Sequence, residues 1–453
     1  MRQLNRSAGS ATGSTRRTFL KQVGAAGLAA AGAGALRPRS SGAAGPVTLS
    51  LWTPLPEMEP FYKKAAEEYA KTHPGFQLET LSSQMREMEQ KLMAAVSTDT
   101  GPDLFDVGRF IAISMADSSL LPPNPAKVTS LIKSKAYAPA VLPYNTWKGQ
   151  VYGVPLLEGS KPALFYNTRM FTEAGLDPNK PPTTFDELMT AARKLAKKDA
   201  SGNLTRAGIS LRLTGQGSGL AEKFWFVLYA MGGDTIIQTK SGKWHNNYDN
   251  EAGRAALKFY IDAVHKYQVD DPKLPHDAAA FAGEQAAMLM REAWVIGEVK
   301  AKGKDIQFSA VAIPRAKRWG GMIQPWSLYV TKSTKNPDVA WDFVQFLVSP
   351  PMALSMVQMT GWTSLREDVD WTPILKETPQ FKPFLVWDKG RAQYAEPALP
   401  VWDEIQTKLA DKLVAAYADK SLMDNPDGIA KRMKEMAAQT DDLLKRGGFY
   451  GTD

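Results

Sequence analysis

Between Val47 and Val107 the chain alternates strand-like and helix-like segments with short joins, and that rhythm restricts the fold more than any other feature. Val47, Leu49 and Leu51 alternate as a half-buried strand does, Pro54 and Pro56 end it, and Phe61, Ala65 and Tyr69 then recur at helical spacing. Pro74-Gly75 breaks that helix. Phe76 and Leu78 open a second strand, Met88, Leu92 and Val96 fit a second helix, and Leu104 to Val107 read as a buried strand just after Gly101-Pro102. Strand, helix, strand, helix, strand predicts an α/β fold around a mostly parallel, doubly wound sheet, because neighbouring parallel strands need a helical crossover. Ligands of such sheets gather beyond the carboxyl ends of the strands, so the loops after Leu51 and after Val107 are the first places to look for function.

A second run, residues 148–195, repeats the alternation with stronger punctuation: KGQVYGVPLLEGSKPALFYNTRMFTEAGLDPNKPPTTFDELMTAARKL. Val151, Tyr152 and Val154 are strand formers set among Gly149, Gly153 and Pro155, and residues 163–166 suit another short strand. Pro181 and Pro182 stop whatever precedes them. Thr184 with Glu187 three residues on forms a capping box, and Phe185, Leu188, Met189, Ala192 and Leu195 recur at helical spacing. Further along, Ala255, Ala256, Phe259, Tyr260, Ala263, Val264 and Tyr267 mark an amphipathic helix, and residues 308–313 a strand closed by Pro314. Asn336-Pro337 predicts an N-cap with proline at the first helical position, ahead of Ala340, Phe343, Val344 and Leu347. A last helix around Ile429, Met433, Met436, Thr440 and Leu443 ends at Gly447-Gly448.

Several of these pieces, in this order, resemble one family. GQVYGVP, YNTRMFTEAGL and PPTTFDEL closely resemble the middle of family 1 extracellular solute-binding proteins, the maltose-binding-like receptors of ABC importers. The resemblance continues in register through GPDLFDV near Pro102, FAGEQAAMLMREAW ending at Trp294, KNPDVAWDFVQFL from Lys335 and TGWTSLREDV near Trp362. It implies a two-lobe periplasmic-binding-protein architecture, type II-like, each lobe a mostly parallel sheet flanked by helices, with hinge crossovers. It would place lobe one at 46–157 plus 314–365 and lobe two at 158–313 plus 366–453. A simple consecutive split into two domains is the alternative that patterning leaves open. The resemblance further implies a monomeric receptor without cofactor that captures a carbohydrate and delivers it to ABC permease subunits. A polyol or glycerophosphodiester is the alternative ligand, and an exported glycoside-active enzyme the alternative class.

The first 45 residues carry Arg2, Arg6, Arg16, Arg17, Lys21, Arg37 and Arg39 and no acidic residue; without those seven, 48 basic residues face 47 acidic ones. The basic balance is therefore largely a leader effect, which disfavours nucleic acid as a partner. Ser14-Thr15-Arg16-Arg17-Thr18-Phe19-Leu20-Lys21 precedes a weakly apolar Gly/Ala run over 23–36 and resembles a twin-arginine export signal, with Ala33-Gly34-Ala35 as a cleavage site. That assigns 1–35 to a signal peptide, the twin-arginine translocase to its handling, and the mature chain to the periplasm or another extracytoplasmic space. A membrane anchor is the alternative reading, but the run falls short of the ~20 apolar residues that span a bilayer. The absence of cysteine excludes disulfides, thiolate metal sites and a lipidated cysteine.

Candidate ligand contacts follow from the chemistry of sugars. One face of a pyranose is rich in C–H and packs on an indole, adding ~0.5–1.5 kcal/mol beyond area burial, while adjacent hydroxyls suit bidentate carboxylates and guanidinium groups. Trp52, Trp294, Trp326 and Trp362 fall at loop or strand-end positions beside Pro54, Arg291-Glu292, Pro325 and Gly361. Trp294 stands six residues after Met288, which matches a sugar-stacking tryptophan of the maltose-binding family. Trp225, among Phe224, Phe226 and Val227, reads equally as ligand contact or core. Asp106 and Arg109 sit at the end of the third strand, and Glu158 lies on the first expected crossover. There the chain departs from the maltose-binding pattern, whose sugar-binding glutamate falls at Ser160. For each of the eight the alternative is packing or a structural ion pair.

Enzyme motifs are sparse. His73, His245, His265 and His276 are scattered without a ligand pair, no G-x-S-x-G elbow occurs, and Gly215-Gln216-Gly217-Ser218-Gly219 lacks dinucleotide spacing. Carboxylate pairs such as Asp270-Asp271 and Asp441-Asp442 are common solvated features.

Overall fold

The computed structural model describes residues 46–453 except 216, 276, 303–305 and 398, and leaves aside the side chains of 110 and 277. The signal peptide expected over 1–35 lies outside the described residues. The first half of the fold follows the sequence rhythm closely. Strand β1 (Val47–Thr53), helix α1 (Glu59–Ala70), β2 (Phe76–Ser82), α2 (Met85–Ser97), β3 (Leu104–Val107) and α3 (Arg109–Asp117) appear in that order. β1 pairs in parallel with β2 and with β3. Leu49 and Leu51 on one face pack with Phe61, Tyr62 and Tyr69 of α1, whereas Trp52, Phe105 and Val107 on the other meet Leu92 and Val96 of α2. Alternation along β1 thus separates two layers of helices, as the period of two requires.

β4 (Val154–Glu158) and β5 (Ala163–Asn167) come next, the first completing this sheet and the second starting another. Gly153 turns the chain into β4 at φ +68°, and an added Cβ would run into the ring of Tyr329. Only glycine meets both demands without strain. Helix α4 (Phe185–Leu195) starts on the expected capping box, with Thr184 and Glu187 satisfying each other's backbone N–H. α5 (Gly219–Ala230) is buried along nearly its whole length, and α6 (Glu251–Ile261) runs into a short π-helical turn, Asp262–Lys266, so the amphipathic stretch seen in sequence is one helix with an irregular end.

β6 (Met288–Arg291), α7 (Trp294–Ala301) and β7 (Phe308–Ala312) follow, and β6 and β7 flank β5 in a three-stranded sheet. Here the structure differs from the expected parallel arrangement, because both pairs are antiparallel. β8 (Gly320–Ile323) then leads through Gln324 into β9 (Pro325–Val330), which inserts between β3 and β4 antiparallel to both. All six β9 residues are buried, as a central strand covered on both faces must be. The first sheet therefore has the order β2-β1-β3-β9-β4.

α8 (Pro337–Leu347) and α9 (Pro350–Thr360) follow β9; proline opens α8 as expected, but the Asn336 side chain makes no cap hydrogen bond. β10 (Ala392–Ala395) pairs in parallel with β8, and α10 (Trp402–Ala418) and α11 (Pro426–Arg446) finish the chain against α5 and α6 in the largest apolar cluster. Among the described residues no helix is long and apolar enough to cross a membrane.

Candidate functional site

Three segments of chain, around Glu158, Gln324 and Thr363, meet beside the first sheet, and backbone hydrogen bonds tie them together. Glu158 N–H donates to Thr363 O (2.8 Å) and Gly159 N–H to Gln324 O (2.9 Å). The Glu158 carboxylate reinforces the tie: its Oε1 accepts from the backbone N–H groups of Ser160 (2.9 Å), Lys161 (3.0 Å) and Gln324 (2.8 Å). Burial pushes its carboxyl above the ordinary value, against the lowering pull of the Lys161 charge and these three donors. Glu158 is a staple of the crossing segments.

From the staple a line of buried polar side chains runs in both directions. Ser160 Oγ donates to Gln324 Oε1 (2.9 Å), Gln324 Nε2 to Glu396 Oε2 (2.5 Å), and Gln406 Nε2 to Glu396 Oε1 (2.9 Å). Burial and the neighbouring Glu222 charge push Glu396 up to about 7. On the other side Glu222 Oε2 lies 3.4 Å from Ser160 Oγ and 3.0 Å from Lys223 Nζ, whose ammonium also stands 2.6 Å from Glu292 Oε1. Glu292 Oε2 accepts from Trp294 Nε1 (3.1 Å) and pairs with Arg291 Nη1 (3.1 Å). Burial alone raises Glu292, but Arg291 and Lys223 outweigh it and hold the carboxyl below its ordinary value.

A cavity opens at each end of this seam. The first, about 460 Å³, is lined by Trp294 and Gly297 of α7, by Thr360, Gly361 and Trp362 after α9, and by Glu57 beyond β1. Trp362 Nε1 donates to Glu57 Oε1 (3.1 Å), and the Arg291 guanidinium lies 4.9 Å from the Trp294 ring centre. The second, about 590 Å³, is lined by Arg109, Tyr144 and Trp147 on one wall and Trp225, Trp244, Tyr394 and Glu396 on another. Arg109 stacks 4.6 Å from the Tyr144 ring centre and donates through Nη2 to the carbonyls of Thr146 (2.9 Å) and Pro143 (3.3 Å). Burial without a carboxylate at ion-pair distance among the described residues brings it down to about 10. Each cavity offers aromatic faces with charged or amide groups at the rim, the arrangement that binds polyhydroxylated molecules.

The eight residues singled out in sequence divide five ways. Trp294 and Trp362 share the first cavity, and Arg109 and Trp225 share the second, where Trp225 is also packed against Trp402 and Tyr394. Glu158 sits in the staple. Asp106 is fully buried, taking hydrogen bonds from Tyr62 and from Thr53 Oγ1 (3.1 Å) with the buried Trp326 indole beside it; burial pushes it up to about 7. Trp52 is half-buried in the first sheet with the Lys91 ammonium 5.0 Å from its ring, outside both cavities.

Sequence reading did not single out Glu57, Glu222, Lys223, Glu292, Gln324, Glu396, Trp402 or Gln406. Two signals were present: the charged pairs Glu222-Lys223 and Arg291-Glu292 interrupt otherwise apolar runs, which a buried chain tolerates only where the charges find partners.

A buried polar seam with an aromatic-walled cavity at each end fits the two-lobe periplasmic-binding architecture. Residues 64–383 match the bacterial extracellular solute-binding proteins, and the chain belongs to that family. It is 27% identical over 347 residues to the lactose-binding protein of Rhizobium radiobacter, covering 72% of this chain and 75% of that one. It is 23% identical over 365 residues to the maltotriose-binding protein of Pyrococcus abyssi, covering 76% and 72%. Among solved structures it is similar to the cyclic α-maltosyl-1,6-maltose binding protein of Arthrobacter globiformis, with a TM-score of 0.73 at 19% identity, over 89% of this chain and 100% of that one.

Proposed function

We propose that this chain is the capture component of an ABC-type sugar importer, closing two lobes over a carbohydrate and handing it unchanged to a membrane permease. The observation that supports this reading is the pair of aromatic-walled cavities, with charged and amide groups at their rims, at the two ends of the seam from Trp294 to Glu396. In this reading lobe one comprises 46–157 and 314–365, lobe two comprises 158–313 and 366–453, and ligand stabilises the closed form because only there do both lobes touch it. Micromolar affinity corresponds to about −8 kcal/mol, within reach of two stacked indoles and several charge-assisted hydrogen bonds. The twin-arginine leader takes the chain out of the cytoplasm, after which it works as a soluble monomer outside the membrane.

The test is a thermal-shift screen of residues 36–453 against mono-, di- and oligosaccharides, polyols and glycerophosphodiesters. A rise of several degrees with one sugar class, and unchanged sugar on recovery, is the expected result. A rise with glycerophosphodiesters alone moves the ligand class. Turnover of a chromogenic glycoside refutes the binding reading.

A further inference from the structure

A third cavity, about 370 Å³, lies at the crossing segments and shares no lining residue with the two described above. Its walls come from both sheets' surroundings: Ile323 next to the staple, residues 364–367 of the last crossing, Trp371, and the stretch Phe384, Leu385 and Trp387. Lys161 lines it. This ammonium is 8% exposed, and among the described residues no carboxylate lies within ion-pair distance of its Nζ. It donates one hydrogen bond, to Phe384 O (2.8 Å), and stands 5.0 Å from the Trp387 ring centre. An ammonium has three N–H donors, and among the described residues one of them meets a hydrogen-bond acceptor, in a space walled by Trp371, Phe384, Leu385 and Trp387 with Ser364, Arg366, Glu367 and Gln393 among them. The Glu158 and Glu367 charges favour the ammonium from beyond ion-pair distance, but burial outweighs them, and a buried charge gains most from a partner that meets its N–H groups directly.

We propose that this cavity is a second binding site, for a small organic carboxylate with a flat apolar body, its carboxylate on Lys161 and its body between Trp371 and Trp387. A single ammonium neutralises one negative charge, which favours a carboxylate over a doubly charged phosphate. The neighbouring cation, Arg366, is taken: it is held by Asp368 through Nε (2.8 Å) and Nη2 (2.7 Å) and gives Nη1 to Val348 O (3.1 Å). The cavity has room for a one- or two-ring acid. The site stands on its own walls and does not depend on which solute the cleft captures.

The experiment is isothermal titration of the sugar-free protein with benzoate, indole-3-acetate and cyclohexanecarboxylate, each against its primary amide. At least one acid is expected to saturate at submillimolar concentration and its amide to bind at least tenfold more weakly. Lys161→Met should erase that preference. Because Lys161 is buried and its variant can misfold, Val386→Trp serves as the second: Val386 lines the cavity and is 42% exposed, so a replacement there should cost little stability, and the larger ring should narrow the space and abolish acid binding. Trp294→Ala should leave acid binding unchanged. Failure of all three acids to saturate, equal affinity for acid and amide, binding retained in Val386→Trp, or loss in Trp294→Ala overturns the proposal.

Discussion

Replacing Glu158 in two ways separates the staple from a ligand contact. In Glu158→Ala the backbone N–H groups of Ser160, Lys161 and Gln324 lose their shared acceptor in a place where Glu158 itself is 2% exposed. Each buried donor left unpaired costs ~1–3 kcal/mol, and water entering the vacated space favours the lower end, so the loss is about 3 kcal/mol. Glu158→Gln keeps an acceptor oxygen in the same position. Its cost is smaller because the negative charge is not what stabilises the folded chain. Burial raises this carboxyl above its ordinary value, so the folded state prefers the protonated acid, and any contribution from that preference is lost as pH rises through the raised value. The amide imitates the protonated form at every pH, leaving a cost of about 1 kcal/mol for its unpaired N–H group. The assay is urea unfolding of ligand-free protein followed by tryptophan fluorescence and far-ultraviolet dichroism, with slopes compared to confirm one transition. Equal losses for Gln and Ala would refute the argument, since charge rather than acceptor geometry would then hold the crossing. A tenfold loss of ligand affinity in Glu158→Gln at unchanged stability would make Glu158 a ligand contact after all.

Trp294→Ala should weaken the captured ligand at least tenfold by titration calorimetry while the ligand-free melting curve moves little; unchanged affinity removes Trp294 from the site. Asp106 and Glu396 hold their protons to about pH 7 in the folded chain, against ordinary values of 3.8 and 4.5, so their contribution is full below about pH 4 and is lost as pH rises through 7. The urea midpoint should therefore fall between about pH 5 and pH 7.5, and the Asp106→Asn, Glu396→Gln double variant should flatten that slope; an unchanged slope assigns it to other groups. Gly153→Ala should cost about 3 kcal/mol, combining a left-handed backbone with a clash against Tyr329, whereas Gly149→Ala, at φ +78° with nothing within 4 Å of the new methyl, should cost about 1 kcal/mol. Equal midpoints for the two variants would show that the ring yields.

The elements from β1 to α3 and the capping box at Thr184 were legible because their signals are local: alternation, helical spacing and a three-residue cap. The antiparallel entry of β9 was not, since nothing within PWSLYV states its neighbours. Asp106 illustrates why polar candidates are harder. At a strand end beside Arg109 it reads as a ligand carboxylate, yet Tyr62 and Thr53, from elsewhere in the chain, supply its donors. Tryptophans divide for the same reason: Trp294 opens a helix at a cavity and Trp326 lies in a strand covered on both faces, and both follow a short polar or proline-marked stretch in sequence. The seam was visible only as fragments. Ser160, Glu222, Glu292, Gln324, Glu396 and Gln406 come from six separate segments, and only the folded topology brings them into line.

The place of β9 between β3 and β4 also governs when the chain can become a protein. Glu158 and Gln324, joined by the staple, are 166 positions apart, so a ribosome must finish most of the sequence before the first sheet can close. Until then β3 and β4 expose unpaired edges and apolar faces that invite the wrong partners. Contacts this distant in sequence slow folding, because the loop between them must be ordered first. A fragment ending before β9 should accumulate as aggregate rather than as a free-standing lobe.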